Sequence, residues 1–436
     1  MENSSQEGLH LKRSLKLIQL IFFGLAFVGP LIAIGVFGVV SEASGGMVGS
    51  TYIFITTAML FTAYSYGQMV KSFPLAGSAY TYTSKSINKG MGFMVGWAVL
   101  LDYIFIPMVI WLIGAVYLEA AFPFIDSWIW LLGFVVITTL INIIGVKLGA
   151  NINLVLVSFQ LLIVISFIIL SIIDIINGGG KLLSMLPFIK EKVPFTFVFS
   201  GAAVAAYSFL GFDAISTLSE EAIEPKKNIP RAIFITTLIV GATFFVTTYF
   251  AQLITETLGS FTDVDSAAAE IAVIIGGNVF LGFYLTAQVI TQFAAGIPAQ
   301  ASGARVLFAM GRDQTLPRKF FSHINTRFKT PINNIIIIGI IGFIALFMDV
   351  NSATSFVNFG AFSAFIFVNI SVIFHYYINN KKRNLKGTIL YLIIPLCGSI
   401  INIWLFTYLD KHALILGSSW IILGIIIFIL NKKFNK

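Results

Sequence analysis

Charged residues are scarce in this 436-residue sequence, and their scarcity excludes a soluble globular protein. Lys, Arg, Asp and Glu make up 11% of the chain, whereas soluble domains contain about 25%. Hydrophobic residues make up 58%, and they form many long runs. Such runs predict membrane-spanning helices and exclude a β-barrel, whose strands are short and alternate in polarity.

The sequence also has little with which to build a catalytic or metal centre. Its single cysteine, Cys397, excludes an intramolecular disulfide and a cysteine-based metal cluster. The four histidines are scattered over different loops and span ends, and neither a nucleophile–base pair nor a phosphate-binding glycine motif is visible. We therefore expect a protein that is not an enzyme and that carries no cofactor or metal.

The apolar runs predict twelve spans joined mostly by short polar turns. Their approximate bounds are 15–40, 47–70, 91–121, 127–146, 150–176, 196–219, 230–254, 278–310, 331–349, 352–378, 387–408 and 412–431. The first run is too long for the apolar core of a signal peptide, so it should remain as a membrane helix. The sequence thus predicts an all-α, multi-pass membrane protein surrounded by the lipid bilayer.

The distribution of basic residues predicts that both termini are cytoplasmic. All of the 27 Lys and Arg except Lys181, Lys190, Lys192 and Lys411 fall on the side that holds the N-terminus, and cytoplasmic loops are rich in these residues. The net charge of +8 is therefore a signal of topology. It does not indicate a nucleic-acid partner.

The opposite side of the predicted bundle is rich in acidic residues. They are Glu42, Glu119, Asp126, Asp174, Glu191, Glu256, Asp263, Asp265, Glu270, Asp349 and Asp410. A negative surface would raise the local concentration of a cationic substrate. The alternative is that these loops simply need polar residues.

Two of the predicted spans are interrupted. In the first span, Pro30 lacks an N–H donor and disfavours helical geometry at Gly29. In the sixth span, Gly211 and Asp213 place a helix breaker and an ionisable group near the middle, where a charge needs a cavity or a partner. The first break alone could be a repaired kink, but interrupted helices at matching positions in two halves indicate an inverted-repeat transporter with a midplane site.

The two interrupted spans are the first members of two sets of five. The predicted segments are a cytoplasmic tail at 1–14, a first repeat at 15–176, a second, inverted repeat at 196–378, two additional helices at 387–431 and a short cytoplasmic tail at 432–436.

Several motifs carry a family resemblance over essentially the whole chain. The runs Gly211 to Glu221, Phe73 to Tyr82 and Asn358-Phe359-Gly360 closely resemble the amino acid–polyamine–organocation (APC) family. Within that family, Leu100-Leu101-Asp102-Tyr103 and the run Ser208 to Ala214 are similar to bacterial putrescine importers. The resemblance implies a LeuT-type fold of five plus five inverted helices with two added, discontinuous first and sixth helices, and alternating access.

The resemblance also implies a function and a location. We expect a secondary active importer of putrescine or related polyamines in the bacterial plasma membrane, driven by protons or by the membrane potential. The alternative is an amino-acid permease of the same family for neutral or cationic amino acids. The sequence does not indicate an oligomeric state.

The first break departs from the pattern of amino-acid carriers in the family. Those carriers usually have Gly-Ser/Ala-Gly there, and free backbone N–H groups bind the substrate carboxylate with help from the helix dipole. This chain has Ala33-Ile34-Gly35, whose side chains crowd that approach. The departure favours a substrate without a carboxylate, such as a diamine, although Ile34 could also be a packing residue.

Candidate substrate-binding residues come from three spans. They are Gly35, Ile34, Ala33 and Phe37 in the first span, Asp102 and Tyr103 in the third, and Tyr207, Ser208, Phe209, Gly211 and Asp213 in the sixth. Asp102 and Asp213 would compensate ammonium charge, unwound carbonyls near Ser208 would accept hydrogen bonds, and Tyr207 and Phe209 would supply cation–π contacts. Alternatively, Asp102 pairs with a serine or tyrosine, and Asp213 acts in gating.

A coupling proton would need a titratable residue. Several proton-coupled relatives have a lysine in the fifth helix, where the nearest residue here is Gln160, which cannot titrate. Asp102 or Asp213 would then have to carry the proton. Alternatively, the membrane potential, worth about 2.3 kcal/mol per charge per 100 mV, drives the cation directly.

Charged residues after the sixth span predict a cytoplasmic inner gate. Glu220, Glu221 and Glu224 are expected to form a salt-bridged turn with Lys226, Lys227 and Arg231. Arg305 and Arg312, with Asp313, are expected to anchor the inner end of the eighth span.

Overall fold

The computed structural model describes residues 13–178, 180–258, 267–348, 350–409 and 411–434. Within these ranges the chain is helical and contains no strand, and one isolated bridge joins Leu15 to Ala222. Four acids of the predicted acidic set, Asp263, Asp265, Asp349 and Asp410, lie outside the described residues, as do residues 1–12 of the predicted N-terminal tail and residues 435–436 of the C-terminal one.

The helices of the first half follow the predicted spans closely. They are α1 (Leu17–Val28), α2 (Ile32–Gly35), α3 (Phe37–Ala43), α4 (Val48–Ser72), α5 (Ser78–Ser86), α6 (Lys89–Ala121), α7 (Ser127–Ile144) and α8 (Val146–Asn177). The short helix α5 was not predicted. It begins after Gly77, which has φ 108°, and its many hydroxyl residues give it no apolar run.

The second half is less regular. It contains α9 (Thr196–Ala205), two 3₁₀ helices (Ala206–Phe209 and Phe212–Leu218), α10 (Pro225–Leu258), α11 (Ala267–Arg312), α12 (Arg318–Phe321), α13 (Ile332–Gly342) with a 3₁₀ extension (Phe343–Phe347), α14 (Val350–Val372) with a π-helical extension (Ile373–Asn379), α15 (Leu385–Thr388), a π-helix (Ile389–Ile393), α16 (Ile394–Phe406) and α17 (Lys411–Phe434). Helix α11 is kinked at Gly277, whose φ of 63° and ψ of −167° are not helical.

Among the described residues, ten helices are long and apolar enough to cross a membrane, or eleven if α3 and α4, which meet at 98°, count as one span. The ninth predicted span is the shortest in the structure, since Ile332–Phe347 falls below the usual spanning length. The molecule is therefore a multi-pass, all-helical membrane protein.

Both predicted interruptions are present. Helix α1 ends before Gly29, whose φ of 77° and ψ of 105° lie outside helical geometry. In the sixth span, Leu210 is extended (ψ 133°) and Gly211 is left-handed (φ 105°). The segment after Gly211 is a 3₁₀ helix, and the hydroxyls of Thr217 and Ser219 donate to carbonyls three residues back.

The two interrupted segments cross in direct contact. Gly24 of α1 lies against Ile215 of the second 3₁₀ helix and against Thr236 of α10, and Gly211 lies against the ring of Phe27. Small residues let helix backbones approach closely within a membrane. The glycines therefore hold the two breaks together in the bundle.

Replacing Gly211 with Ala should destabilise the fold strongly. A left-handed residue with a side chain costs about 1–2 kcal/mol, and displacing Phe27 adds about 1–3 kcal/mol of overpacking. Thermal unfolding of the purified protein measures the loss as a lower midpoint. The matched control is Gly133→Ala in α7, where an added Cβ meets nothing within 4 Å and no loss is expected. Equal midpoints for the two variants would contradict this account.

Candidate substrate site

A cavity of about 1000 Å³ lies between the two interrupted segments and helices α6, α11 and α14. Its polar lining comes mainly from Tyr117, Tyr207, Gln288, Gln292 and Asn358. The described residues that line it include no Lys, Arg, Asp or Glu. The cavity therefore offers amide and aromatic groups directly. An acidic residue that compensates the charge of a bound cation has to lie behind the cavity wall.

The cavity extends to one end of the bundle. We call this end the acidic face because it carries Glu42, Glu119 and Asp126, and the opposite end, where α1 begins, the basic face. The lining reaches Ala43, the last residue of α3, and Leu409, just beyond α16. The structure is therefore open towards the acidic face.

The backbone of the first break is largely satisfied internally. The N–H groups of Ile34 and Gly35 both donate to the carbonyl of Leu31 at 3.1 Å, and that of Val36 donates to Ile32 at 3.0 Å. These groups are therefore not free to bind a carboxylate. Of the predicted residues here, Gly35 lines the cavity, where an added Cβ would lie 3.1 Å from Nε2 of Gln288.

The other candidates from the first span are core residues in this structure. Ala33, Ile34 and Phe37 are fully buried and do not line the cavity. Ile34 therefore packs behind the cavity wall and does not crowd the cavity itself.

Asp213 is held by two tyrosines. Its Oδ2 accepts hydrogen bonds from Oη of Tyr103 at 2.6 Å and from Oη of Tyr66 at 3.1 Å. All three side chains are buried. The predicted residues Tyr103 and Asp213 are thus brought together, and Tyr66 completes a cage that sequence reasoning did not include.

Asp102 lies beside this cage without a hydrogen bond of its own. Its carboxyl group is buried and close enough to Asp213 for the two to interact electrostatically. No hydrogen bond joins it to any part of the chain that the structure describes. The pairing with serine or tyrosine, considered as the alternative for Asp102, is absent here, and it is the Asp213 carboxyl that has such partners.

Asp102 also packs against α14, one of the helices that contribute to the cavity. Gly360 of α14 packs on it so closely that an added Cβ would lie 2.6 Å from the Asp102 backbone nitrogen. Asn358 and Phe362, two residues to either side of Gly360, line the cavity, and residues two positions apart lie on opposite sides of a helix. Asp102 and the cavity therefore contact different faces of α14.

Aromatic rings continue from the cavity to the cage. Phe362 packs edge-on against Phe365 with ring centroids 6.3 Å apart, and Phe365 contacts Phe212 at 5.3 Å and Tyr66 at 6.4 Å. These rings separate the Asp213 carboxyl from the water-accessible cavity.

The remaining candidates of the sixth span are divided. Tyr207 lines the cavity, whereas Ser208, Phe209 and Gly211 are buried behind it. Phe209 packs edge-on against Phe244, with centroids 5.4 Å apart, so it belongs to the core in this conformation. The carbonyls near Ser208 end a short 3₁₀ helix, and the last carbonyls of a helix lack intrahelical partners.

Sequence reasoning missed the amide groups of the cavity. Gln288 donates from Nε2 to Oη of Tyr284 at 2.6 Å, whereas Gln292 and Asn358 have no hydrogen-bond partner among the described residues. Gln288 and Gln292 lie four residues apart in α11 and share a face. That spacing was a usable signal, because two glutamines on one face of an apolar span need polar partners.

A family model described as "Amino acid permease" matches residues 15–430. The chain belongs to this permease family. The predicted APC resemblance is thereby confirmed, and the permease has relatives of several kinds that it matches along most of its length.

Three such relatives illustrate the range. The permease is 39% identical to the low-affinity putrescine importer PlaP of Escherichia coli (strain K12) over 421 residues, 96% of this chain and 93% of that protein. It is 25% identical to the branched-chain amino acid permease BcaP of Bacillus subtilis (strain 168) over 454 residues, 98% and 94% of the two chains. Identity to the human cationic amino acid transporter 4 is 27% over 401 residues, 86% of this chain and 61% of that one.

The ion pairs at the basic face of the permease differ from the predicted ones. Glu221 binds Arg305 through two bonds of 2.6 and 2.9 Å, and both side chains are buried. Glu220 binds Arg312 at 2.6 Å and accepts a bond from the Ala76 N–H at 2.9 Å.

The predicted salt-bridged turn is therefore wrong for Glu220 and Glu221. Of the expected local pairs, only the exposed contact of Glu224 with Lys227, at 3.2 Å, is present in the described chain. The expected contact of Arg312 with Asp313 is present at 3.5 Å. Arginines reach Glu220 and Glu221 from α11 because their planar guanidinium groups make directed bonds to carboxylates in a buried setting, which lysine cannot match.

Backbone hydrogen bonds also join two chain segments at the basic face. The N–H groups of Ser14 and Leu15 donate to the Glu221 carbonyl at 2.8 and 3.0 Å, and the Ile223 N–H donates to the Leu15 carbonyl at 2.9 Å. The segment before α1 is thus bonded to the chain that follows the second 3₁₀ helix.

Gln160 of the permease lies in the core of α8. It is fully buried, and neither polar atom of its amide has a partner among the described residues. The same holds for Asn153, two turns earlier on the same helix. Within the described residues, no cluster of His, Cys, Asp and Glu suited to a metal ion occurs here or elsewhere.

Proposed function

We propose that this permease imports putrescine or a related polyamine by secondary active transport with alternating access. The observation that carries the proposal is the pair of buried carboxyl groups, Asp102 and Asp213. Packed aromatic rings connect the Asp213 cage to a cavity whose described lining contains no basic residue. A desolvated ammonium group needs such compensation. The 39% identity to a protein named as a putrescine importer supports the same substrate.

The proposed site binds the two ends of a diamine differently. One ammonium group approaches Asp102, while Asp213 stays hydrogen-bonded to Tyr66 and Tyr103. The other ammonium group is surrounded by the amides and rings of the cavity. The occupied N–H groups of Ile34, Gly35 and Val36 support a ligand without a carboxylate. Both acids are therefore at the same end of the proposed site.

The proposed architecture is the twelve-span LeuT-type fold, with repeats at 15–176 and 196–378, additional helices at 387–431 and short tails at either end. Both termini are proposed to be cytoplasmic in the bacterial plasma membrane. The cavity would then face the outside, and the pairs of Glu220 and Glu221 would close the inside. Either a proton carried by Asp102 or Asp213, with no part for Gln160, or the membrane potential alone would drive uptake.

Uptake of labelled putrescine into proteoliposomes tests the proposal. We expect saturable uptake that agmatine and spermidine inhibit and leucine does not, with protein-free vesicles as the control. A potassium diffusion potential and a pH gradient, imposed separately, identify the driving force. Saturable leucine or serine uptake without competition by polyamines would establish the alternative, an amino-acid permease, which the relatives BcaP and cationic amino acid transporter 4 favour.

Replacing Gln292 with Leu is expected to raise the KM for putrescine about tenfold or more, because a hydrogen bond to a charged group contributes roughly 1.5–3 kcal/mol. The Gln292 amide is unpartnered in the described structure, so folding should not suffer. Thr286→Val, on the exposed face of the same helix, is the control and should leave KM unchanged. An unchanged KM in the Gln292 variant would remove this residue from the site.

A further inference from the structure

A second cavity, of about 520 Å³, lies at the basic face between α4 and α10. Four basic residues line it: Lys71 from the end of α4, and Lys226, Lys227 and Arg231 from the first turns of α10. Its described lining contains no acidic residue. Cations from two separate helices therefore converge on one groove.

Most of this positive charge is not neutralised by the protein. The Lys227 ammonium lies 3.2 Å from the Glu224 carboxylate, whereas Lys71, Lys226 and Arg231 form no ion pair within the described chain. The nearby acids Glu220 and Glu221 are already occupied by the arginines of α11. The groove therefore keeps an unbalanced positive charge that an anion from outside the protein would neutralise.

The walls of the groove are apolar towards the middle of the bundle. Phe234, one turn beyond Arg231, is 44% exposed, and Ala63, Pro230 and Ile235 continue the apolar surface. The floor is formed where the two helices touch, since an added Cβ on Gly67 would lie 3.3 Å from Cβ of Pro230. The ligand suited to this surface is amphiphilic, with an anionic end against the lysines and an apolar end along Phe234.

We propose that this groove binds the phosphate headgroup of an anionic phospholipid. Basic pockets between membrane helices at the cytoplasmic side bind such headgroups, and the apolar wall provides a surface for an acyl chain. A soluble phosphate compound would use the cations but leave the Phe234 wall in contact with water. The structure therefore favours the lipid over a free phosphate.

Native mass spectrometry of the full-length protein, delipidated and then titrated with phosphatidylglycerol or phosphatidylcholine, tests the site. The wild-type protein should retain phosphatidylglycerol in preference to phosphatidylcholine. A variant carrying Lys71→Gln, Lys226→Gln and Arg231→Gln should bind phosphatidylglycerol roughly 100-fold more weakly, about fivefold per cation removed. The control carries Arg318→Gln, Lys319→Gln and Arg327→Gln, which remove the same charge outside the groove, and should bind like the wild type.

Two further measurements keep the result decisive. The single variant Lys71→Gln, with an expected fivefold loss, replaces the triple variant if the latter fails to fold. Inorganic phosphate added in competition distinguishes the sources of the anion. Equal losses in the groove and control variants, or no loss in either, would overturn the proposal, as would displacement of phosphatidylglycerol by equimolar inorganic phosphate.

Discussion

Replacing Asp102 with Asn should lower kcat/KM for putrescine by about 100-fold, because loss of one partner from a buried charge pair costs roughly 2–5 kcal/mol. Asn has the same shape as Asp and breaks no hydrogen bond of the fold, since the Asp102 carboxyl has no partner among the described residues. It also removes the repulsion between Asp102 and Asp213. The protein should therefore fold normally and fail in binding.

Initial rates of putrescine uptake in proteoliposomes measure this loss, and the thermal midpoint checks the fold. Glu42→Gln is the control: it removes an acid of the exposed acidic face and should change kcat/KM only slightly, with an effect that disappears at high salt. Transport by the Asp102 variant with an unchanged apparent affinity would show that the carboxylate does not bind the substrate.

Replacing Glu221 with Gln should open the basic face. The change leaves the Arg305 guanidinium buried and without its counter-charge, and breaking a buried pair on one side costs about 3–5 kcal/mol. This loss of stability affects the conformation in which the pair is formed. We therefore expect a lower thermal midpoint, and more rapid labelling of a cysteine introduced at the basic face in a Cys397→Ser background.

Two variants show whether the ion pair itself is responsible. Glu224→Gln breaks the exposed contact with Lys227, which should contribute at most about 1 kcal/mol. Replacing both Glu221 with Leu and Arg305 with Met should recover the midpoint, because exchanging a whole buried pair for apolar residues is often neutral or stabilising. If Glu221→Gln and Glu224→Gln gave the same midpoint and the same labelling rate, the buried pair would not hold the face closed.

The interruptions of the helices were predictable because they depend on local backbone chemistry. Pro30 restricts the backbone dihedral angles and Gly211 widens their allowed range, whatever the arrangement of the rest of the chain. Both breaks occur where the sequence indicates. The buried carboxyl groups were predictable for a related reason, since an acid in an apolar span must have a partner or a cavity.

The partners of those acids were not predictable from spacing. Glu221 pairs with Arg305, 84 residues away, although Lys226 and Arg231 are much closer in sequence. Tyr66 and Tyr103 reach Asp213 from two other helices. Such contacts depend on how the helices are arranged, and periodicity in a span that is apolar on all sides does not reveal which face points inward.

The same limit applies to the cavity. Asn358 could equally have bonded a carbonyl in its own helix, and the spacing of Gln288 and Gln292 indicates only that they share a polar face. Their role in the lining follows only from the position of α11 and α14 around the interrupted segments.

The pairing of Ser14 and Leu15 with the chain around Glu221 and Ile223 uses only peptide groups. Peptide groups are the same in every residue, so these hydrogen bonds do not depend on the side chains of Ser14, Leu15 and Ile223, except that proline there would remove the N–H donor. Glu221 differs because its side chain also pairs with Arg305. The backbone contact depends instead on the number of residues between the paired segment and the first turn of α1, which is only one, Lys16. In this part of the permease, natural variation should therefore include substitutions far more often than insertions or deletions.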